Sequence, residues 1–467
     1  MSDKFASVIL AAGKGTRLGL TVPKPLAPIL DETLIDCVLG ELQNFETISG
    51  TTLSRSLITG HQRELVEEHV GKSFPGNDFE FVFQKEQLGT GHAVKTFVDN
   101  TKTLDDAEAV FVLCADTPCL DQSIFESLIN TYKEKKADAV VATFSAENPF
   151  NYGRIVHEKE GKLSIVEEKE ASAQQRKIQE VNSGLYLLKK SYLLEVINKI
   201  ENKNNSSEFY LTDIFNFTRF GYAHLFENES WFFGVNDLEQ LSRASFSLQM
   251  KINRKHMKNG VLIKDSRHTY ISRKAKLESG STIAPNVTIT GETHIQSGAV
   301  IEEGSKVESS FIGENSRIKI NCSIEDSKIG ESCSVGPMAH LRPGTVLENR
   351  VKIGNFVETK KSHIKDDVNV SHLSYVGDAE IGARSNLGCG FITCNYDGKD
   401  KHKTIIGEDC FIGSDSQMIA PLKIGNRCFV ASGSSVNQDL GDDAFAISRS
   451  RQVTKEGMAK RFLKSKT

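Results

Sequence analysis

Between Ile9 and Gly19 the chain reads ILAAGKGTRLG. A short apolar run, Val8 to Ala12, breaks into Gly13-Lys14-Gly15-Thr16-Arg17. A strand that feeds a glycine turn suits a phosphate, because small residues let backbone N–H groups approach anionic oxygens. Arg17 adds a cation. Lys24 follows a short loop later, between Pro23 and Pro25, which predicts a stiff extended segment. The glycine spacing lacks the Gly-Lys-Ser/Thr triplet of a Walker loop, and its third glycine is misplaced for a dinucleotide fingerprint. An ordinary tight turn uses the same residue types, so both readings stay open for the loop taken alone.

The elements around this loop set its position. Residues 1–235 alternate short apolar runs with helical patterns. The runs are SVILAAG (7–13), FEFVFQ (79–84), AVFVLCAD (109–116), ADAVVATF (137–144) and GLYLLKK (184–190). Between them lie segments such as 121–136, with Ile124, Leu128, Ile129 and Tyr132 near one face. Near-continuous apolar strands separated by helices predict a doubly wound, Rossmann-like α/β domain with a mostly parallel sheet. Ligands bind beyond the carboxyl ends of such strands, where the Gly13 loop and Asp116 both fall. A helical linker is expected over 236–260, with Leu238, Leu241, Leu248 and Ile252 along one stripe and Gly260 at its end.

Residues 261–467 follow a different rule. Leu277, Ile283, Ile289, Ile295, Ile301 and Val307 step by six. Ile312, Ile318 and Ile324 continue after a slip of one, then Ile329 to Ile353 after another. Ile406, Ile412, Met418, Ile424, Val430 and Val436 resume the step. A period of six predicts a left-handed parallel β-helix of hexapeptide repeats, with roughly nine or ten triangular coils stacked about 4.8 Å apart. Glycine often follows the aliphatic residue, as at Gly330, Gly354, Gly382, Gly407 and Gly425, where the chain is expected to turn. Function is expected where this rule is broken. One break is the polar NYDGKDKHKT stretch, Asn395 to Thr404. Another is the cluster Arg342, Lys360, His372 and Tyr375 at or near coil corners.

Composition narrows the class. A chain of 467 residues needs two or three domains. A net charge of -4 gives no basic excess for nucleic acid, so no nucleic-acid partner is expected. Nine cysteines without a CxxC pair suit a reducing cytoplasm. The Met1-Ser2-Asp3-Lys4-Phe5 lead has no signal-peptide character, and no apolar run approaches a membrane span, so no membrane partner is expected.

Further motifs occur in order: QLGTGHA (87–93), LCADTP (113–118), NYGRIV (151–156), IVEEK (165–169), EVNSG (180–184), EFYLTDI (208–214) and GVND (234–237). LRPGT (341–345), NFVETKK (355–361), SHLSYVGDAEIG (371–382), FIGSDSQ (411–417) and AISRSRQ (446–452) follow. With the glycine loop and the 395–404 stretch, the series resembles the bacterial bifunctional N-acetylglucosamine-1-phosphate uridyltransferase/glucosamine-1-phosphate acetyltransferase family over essentially the whole chain.

That resemblance implies two reactions. In the first half, N-acetylglucosamine-1-phosphate attacks the α-phosphorus of UTP and pyrophosphate leaves, which needs positioning and charge neutralisation. Leu10, Ala11 and Ala12 would border the nucleotide-sugar, Gly13, Gly15, Arg17 and Lys24 would hold phosphates, and Mg²⁺ would lie on Asp116 and Asn236. Gln84, Gly89 and Thr90 would read the uracil, and Gly153, Glu167 and Asn182 the sugar. In the second half, the amino group of glucosamine-1-phosphate takes the acetyl group of acetyl-CoA. Such a step needs a base, and the match to HLSY selects His372 over His340, His363 and His402. Arg342 and Lys360 would bind the sugar phosphate, while Tyr375, Asn386, Asn395 and Tyr396 hold the acceptor and border the coenzyme. Cys389, Ser414, Ser432 and Arg449 fall at coenzyme positions. Cys389 and Ser432 stand where the family commonly has alanine. The resemblance also implies a cytoplasmic homotrimer whose product feeds peptidoglycan and lipopolysaccharide synthesis. Two alternatives remain open from sequence: a pyrophosphorylase with a non-catalytic β-helix, and a non-catalytic exchange-factor-like protein.

Overall fold

The computed structural model describes residues 4–158 and 162–464, so the Met1–Asp3 lead lies outside the described residues. Two compact units divide between Leu248 and Gln249.

In the first unit the expected apolar runs form the strands Phe5–Leu10, Phe79–Phe83, Ala109–Cys114, Ala139–Ser145 and Glu180–Lys189. Leu53–Thr59 and Gly221–Phe226 join them without having been singled out from sequence. Across the sheet the order is Gly221–Phe226, Ala139–Ser145, Glu180–Lys189, Ala109–Cys114, Phe5–Leu10, Leu53–Thr59 and Phe79–Phe83. Neighbours are parallel except for Glu180–Lys189, which is antiparallel on both sides.

The runs are apolar throughout because both faces are buried. Phe5, Ile9, Phe111 and Leu113 enter one core, beneath the helices Leu34–Ser49 and Ser123–Lys135. Ala6, Val8, Val110 and Val112 enter the other, beneath Thr90–Asn100 and Lys190–Val196. From Phe5–Leu10 the chain goes first to Leu53–Thr59 on one side and later to Ala109–Cys114 on the other. That change of direction opens a crevice beyond Leu10 and Cys114.

The expected helix forms over Leu238–Lys258, and the division between the units falls inside it. Its stripe begins later than the spacing predicts: Leu248 and Ile252 are buried, but Leu238 is 57% exposed. Gln249 and Asn253 are buried too, and the Asn253 amide donates to the carbonyls of Ser266 and Thr269 at 2.9 Å each. A helical stripe can bury amides when carbonyls are there to receive them. Gly260 ends the helix at φ 86, with the Val261 N–H returning to the His256 carbonyl.

Among the described residues the second unit forms three parallel sheets of eleven, ten and nine short strands. Strands pair with the strand three places on, one coil away, until the last coil, where Phe429–Val430 pairs with Phe445–Ala446, two places on. Ile283, Ile301, Ile318, Val335, Ile353, Val370, Leu387, Ile412 and Val430 stack as one buried column. The slips of one leave this column intact, and the 395–404 stretch is accommodated between Leu387 and its partner Ile412.

The glycines after the aliphatics have a different cause from the expected turn. A Cβ on Gly354 would lie 1.8 Å from the Ser371 carbonyl oxygen, and one on Gly407 2.6 Å from the Gly425 carbonyl. They allow one coil's backbone to approach the next. Many corners with positive φ carry Asn, Asp or Arg instead, such as Asn315, Asn321, Asp367 and Arg384.

Candidate active sites

A cavity of about 310 Å³ opens at the crevice. Leu10, Ala11, Ala12, Gly13, Lys24, Gln84, Gly89, Thr90 and Asp116 line it. These are nine of the expected nucleotide residues, drawn from four separate stretches of chain. Gln87, Glu208 and Cys114 also line it. They lie inside QLGTGHA, EFYLTDI and LCADTP but had no role from sequence. Burial, with the Asp116 charge adding to it, pushes the Cys114 thiol up to about 12.

Lys24 is at the centre of the polar contacts. Its ammonium donates to Asp116 Oδ2 and, at 2.8 Å, to Asn236 Oδ1. The expected extended segment is a short 3-10 turn, Lys24–Leu26, in which the Leu26 N–H reaches the Pro23 carbonyl. Pro25 fits there because the first residues of a helical turn need no N–H. Gly15 does not line the cavity. It sits at φ 66, and a Cβ there would lie 2.7 Å from Lys24 Cβ, so its small size gives Lys24 its path. Arg17 is exposed and outside the lining.

An Asp after a strand and an Asn just before a helix are residue types that also cap helices. The helix after Asp116 begins only at Ser123, and the cap of Leu238–Lys258 is Asp237, whose carboxylate accepts the Gln240 N–H at 2.8 Å. Both Asp116 and Asn236 therefore turn their oxygens to Lys24. One carboxylate and one amide that already converge on a cation fit Mg²⁺, which completes its sphere with water and phosphate.

Gly153, Glu167 and Asn182 form a second cluster. A Cβ on Gly153 would lie 3.5 Å from both Asn182 Cβ and Glu167 Oε2. Thr212 donates to Glu167 Oε1 at 3.0 Å, and the Asn182 amide donates to the Tyr186 hydroxyl at 2.7 Å. Burial raises the Glu167 carboxyl above its usual range, against the Thr212 bond.

In the second unit register does the assembling. Asn355 and His372 are paired, each two residues beyond a member of the buried column. Cys389, Ser414 and Ser432 hold the same place in later coils, after Leu387, Ile412 and Val430. The Gly433 N–H donates to the Ser414 carbonyl, and Gly433 lies under the Arg449 side chain. Asn386 immediately precedes the column residue Leu387 on the same strand.

His372 Nδ1 donates to Asn355 Oδ1 at 2.7 Å, and its Nε2 has no protein partner among the described residues. The other candidate histidines face acids through Nε2: His340 with Glu325 at 3.5 Å, His363 with Glu348 at 2.7 Å, His402 with Asp397 at 2.7 Å. His402 thereby staples its own loop, where Asp397 also accepts the Lys399 and Asp400 N–H groups. In that loop Asn395 is buried, with its amide on Asp378, and Tyr396 is exposed.

Arg342 and Lys360 lie at the far edge of the face that Tyr375 enters, after Leu341 and Thr359, so the single chain does not set them at the His372 corner. Arg342 donates to Glu358 at 2.7 Å. The Lys401 side chain, then Arg342, holds the Lys360 amine below its usual range. Three cations drawn together suit an anion. Lys401, Asn355 and Glu358 had no role from sequence, although each lies within a quoted motif.

Residues 6–232 match the nucleotidyl transferase family model, 266–354 the GMPPB C-terminal domain, and 403–438 the bacterial transferase hexapeptide (six repeats) model. The chain is 41% identical over 472 aligned residues to "Bifunctional protein GlmU" of Pelobacter propionicus, covering all of both chains. Proteins of the same name from Listeria welshimeri (39% identity, 99% of each chain) and Staphylococcus haemolyticus (40%, 97% of this chain and 99% of that one) are similar throughout. Near-complete coverage of both partners, with both domain types in the same order, shows that this chain belongs to the GlmU family of bifunctional enzymes.

Proposed function

We propose that the chain makes UDP-N-acetylglucosamine, acetylating glucosamine-1-phosphate and then transferring uridylyl from UTP to the product. The observation that carries this is the convergence of Lys24, Asp116 and Asn236 beside the glycine-loop cavity. Gly13 leaves room for phosphate at the loop, and Lys24 supplies a positive charge. Gln84, Gly89 and Thr90 hold the base, and Gly153, Glu167 and Asn182 hold the sugar so that its phosphate oxygen lies in line with the α-phosphorus. Asp116 and Asn236 would hold Mg²⁺, which supplies charge neutralisation on the phosphate oxygens.

In the acetyl step His372 Nε2 takes the proton from the amine as nitrogen attacks the thioester carbon. The C–N bond forms, the C–S bond breaks, and His372 returns that proton to the departing sulfur, so that the coenzyme leaves as a thiol. Asn355 fixes the ring so that Nε2 is the free nitrogen. Arg342 and Lys360, with Lys401, receive the sugar phosphate. Tyr375 and Asn386 flank the sugar, Asn395 and Tyr396 border it, and Cys389, Ser414, Ser432 and Arg449 line the coenzyme's path.

The separation of the His372 corner from the Arg342–Lys360 edge supports a homotrimer in which neighbours complete the site. Light scattering on the purified chain tests this, with a monomer as the contrary result. Nucleotide and coenzyme substrates support a cytoplasmic enzyme.

One rival reading is a pyrophosphorylase whose β-helix is inert. Incubating the protein with glucosamine-1-phosphate, acetyl-CoA, UTP and Mg²⁺ separates the two. Free thiol and pyrophosphate are both expected. Pyrophosphate from supplied N-acetylglucosamine-1-phosphate, with no thiol from acetyl-CoA, would establish the rival.

A further inference from the structure

We infer that Gln240 is a positioning residue for Asn236 and, through it, sets the affinity of the first site for a divalent cation. The inference rests on the proposal that Asn236 is a metal ligand.

Asn236 lies two residues before the helix Leu238–Lys258, in a short connection between the buried Val235 and the cap residue Asp237. Gly234 has open space where a Cβ would stand. Two hydrogen bonds hold this segment. The Val235 N–H donates to the Asp116 carbonyl at 2.9 Å, tying it to the other proposed ligand. The Asn236 N–H donates to Gln240 Oε1 at 2.7 Å.

The second bond is a displaced capping box. In the usual box, the side chain of the third helical residue returns to the N–H of the cap itself. Here Asp237 is the cap and bonds the Gln240 N–H, while the Gln240 side chain reaches one residue further back. Asp237 does the capping, and Gln240 orients the residue beside it. The Asn236 side chain then carries its Oδ1 to the nitrogen of Lys24, 2.8 Å away.

Gln240 is only half-buried and lines a cavity of about 460 Å³ with Gly234, Tyr152 and Arg243. Water can therefore take its place on the Asn236 N–H, so removing Gln240 loosens Asn236 alone, with Val235 still tied to Asp116, and leaves no buried donor stranded. Substituting a residue that orients a metal ligand typically costs about 10–100-fold in metal affinity.

The test measures UTP affinity of the full chain by calorimetry, without metal and with Mn²⁺. Gln240→Met keeps the bulk but accepts no hydrogen bond. It is expected to bind UTP normally without metal and to lose about tenfold or more of the gain that Mn²⁺ brings. Gln240→Glu, whose carboxylate can accept the same N–H, is expected to restore the gain. Thermal midpoint and thiol release from acetyl-CoA should stay at wild-type values in both. If Gln240→Met is destabilised, Gln240→Ser, too short to reach the N–H, is read by the same criteria. Asn236→Ala separates the two levels of the argument. If it loses the Mn²⁺ gain while a folded Gln240 variant keeps it, the positioning role is wrong and the metal proposal stands. If Asn236→Ala keeps the full gain, both fall.

Discussion

The two units bring side chains together by opposite means. In the first, Lys24, Asp116 and Asn236 come from distant points in the chain and meet because a doubly wound sheet ends its strands at one crevice. Each is held by its own local device: a 3-10 turn, a strand end and a displaced capping box. In the second, Asn355, His372, Cys389, Ser414 and Ser432 occupy one place in successive coils, and parallel register is the only device needed. A convergent site depends on loops that can each be loosened separately. A periodic site depends on one register that every coil enforces.

The largest effect should come from cutting the convergent site. A fragment ending at Val235 lacks Asn236 and the helix, and is expected to show no pyrophosphate release from UTP and N-acetylglucosamine-1-phosphate. One ending at Lys258 keeps Asn236, the capping residues and the buried Ala244 and Leu248, and should retain the activity. Equal activity in both fragments would show that Asn236 is dispensable.

Asp116→Asn comes next, since it removes the carboxylate facing Lys24. Loss of one preorganised electrostatic group typically costs about 10²–10³-fold, and loss of the carboxylate proposed to hold the metal should reach the upper end. Thiol release from acetyl-CoA should not change. A parallel fall in both reactions would mean the units are not independent.

His372→Ala puts the same question to the periodic site. Acetyl transfer should fall about 10²–10⁴-fold while uridylyl transfer is unaffected. His340→Ala, His363→Ala and His402→Ala should keep acetyl transfer within a few-fold, because His363 and His402 are bonded to carboxylates and His340 faces Glu325 at 3.5 Å. Wild-type acetyl transfer in His372→Ala would remove it as the base.

Gly15→Val should weaken UTP binding about tenfold or more in calorimetry. The new side chain must displace Lys24 and hold a positive φ that branched residues resist. Unchanged UTP affinity in a folded variant would separate Gly15 from the site.

The smallest effect is expected at a corner of the β-helix. Arg350, Asp367, Arg384, Asp409, Arg427 and Asp443 alternate in sign up successive coils, all at positive φ. Arg384 bonds Asp409 and Glu408, which raises its guanidinium further above its usual range and holds Asp409 below its own. The pairs are exposed, so Arg384→Ala should lower the thermal midpoint by only about 1–2 °C, and less in high salt. A loss several times larger would mean that the charge ladder, rather than the apolar column, sets coil register.

Much of this was legible in the amino-acid order. Steps of six aliphatics determined the β-helix, because one inward residue per face is a local rule that each coil repeats. Continuous apolar runs determined a sheet buried on both faces, and motif order pointed to most of the cavity lining. Hexapeptide spacing could not tell a glycine needed for φ from one needed for close approach, since that depends on the backbone of the next coil. Nor could it separate Asn236 from Asp237 as the cap, because both are good caps locally. Only the fold turns one oxygen to Lys24 and the other to Gln240. It likewise left four histidines as candidates. Their distinction is in partners that folding supplies: His372 meets an amide a coil away, His340 and His363 face carboxylates a coil away, and His402 meets one within its own loop. Periodicity and burial are written along the chain, residue by residue. Convergence and hydrogen-bond partnership are relations between distant residues, and exist only once the chain has folded.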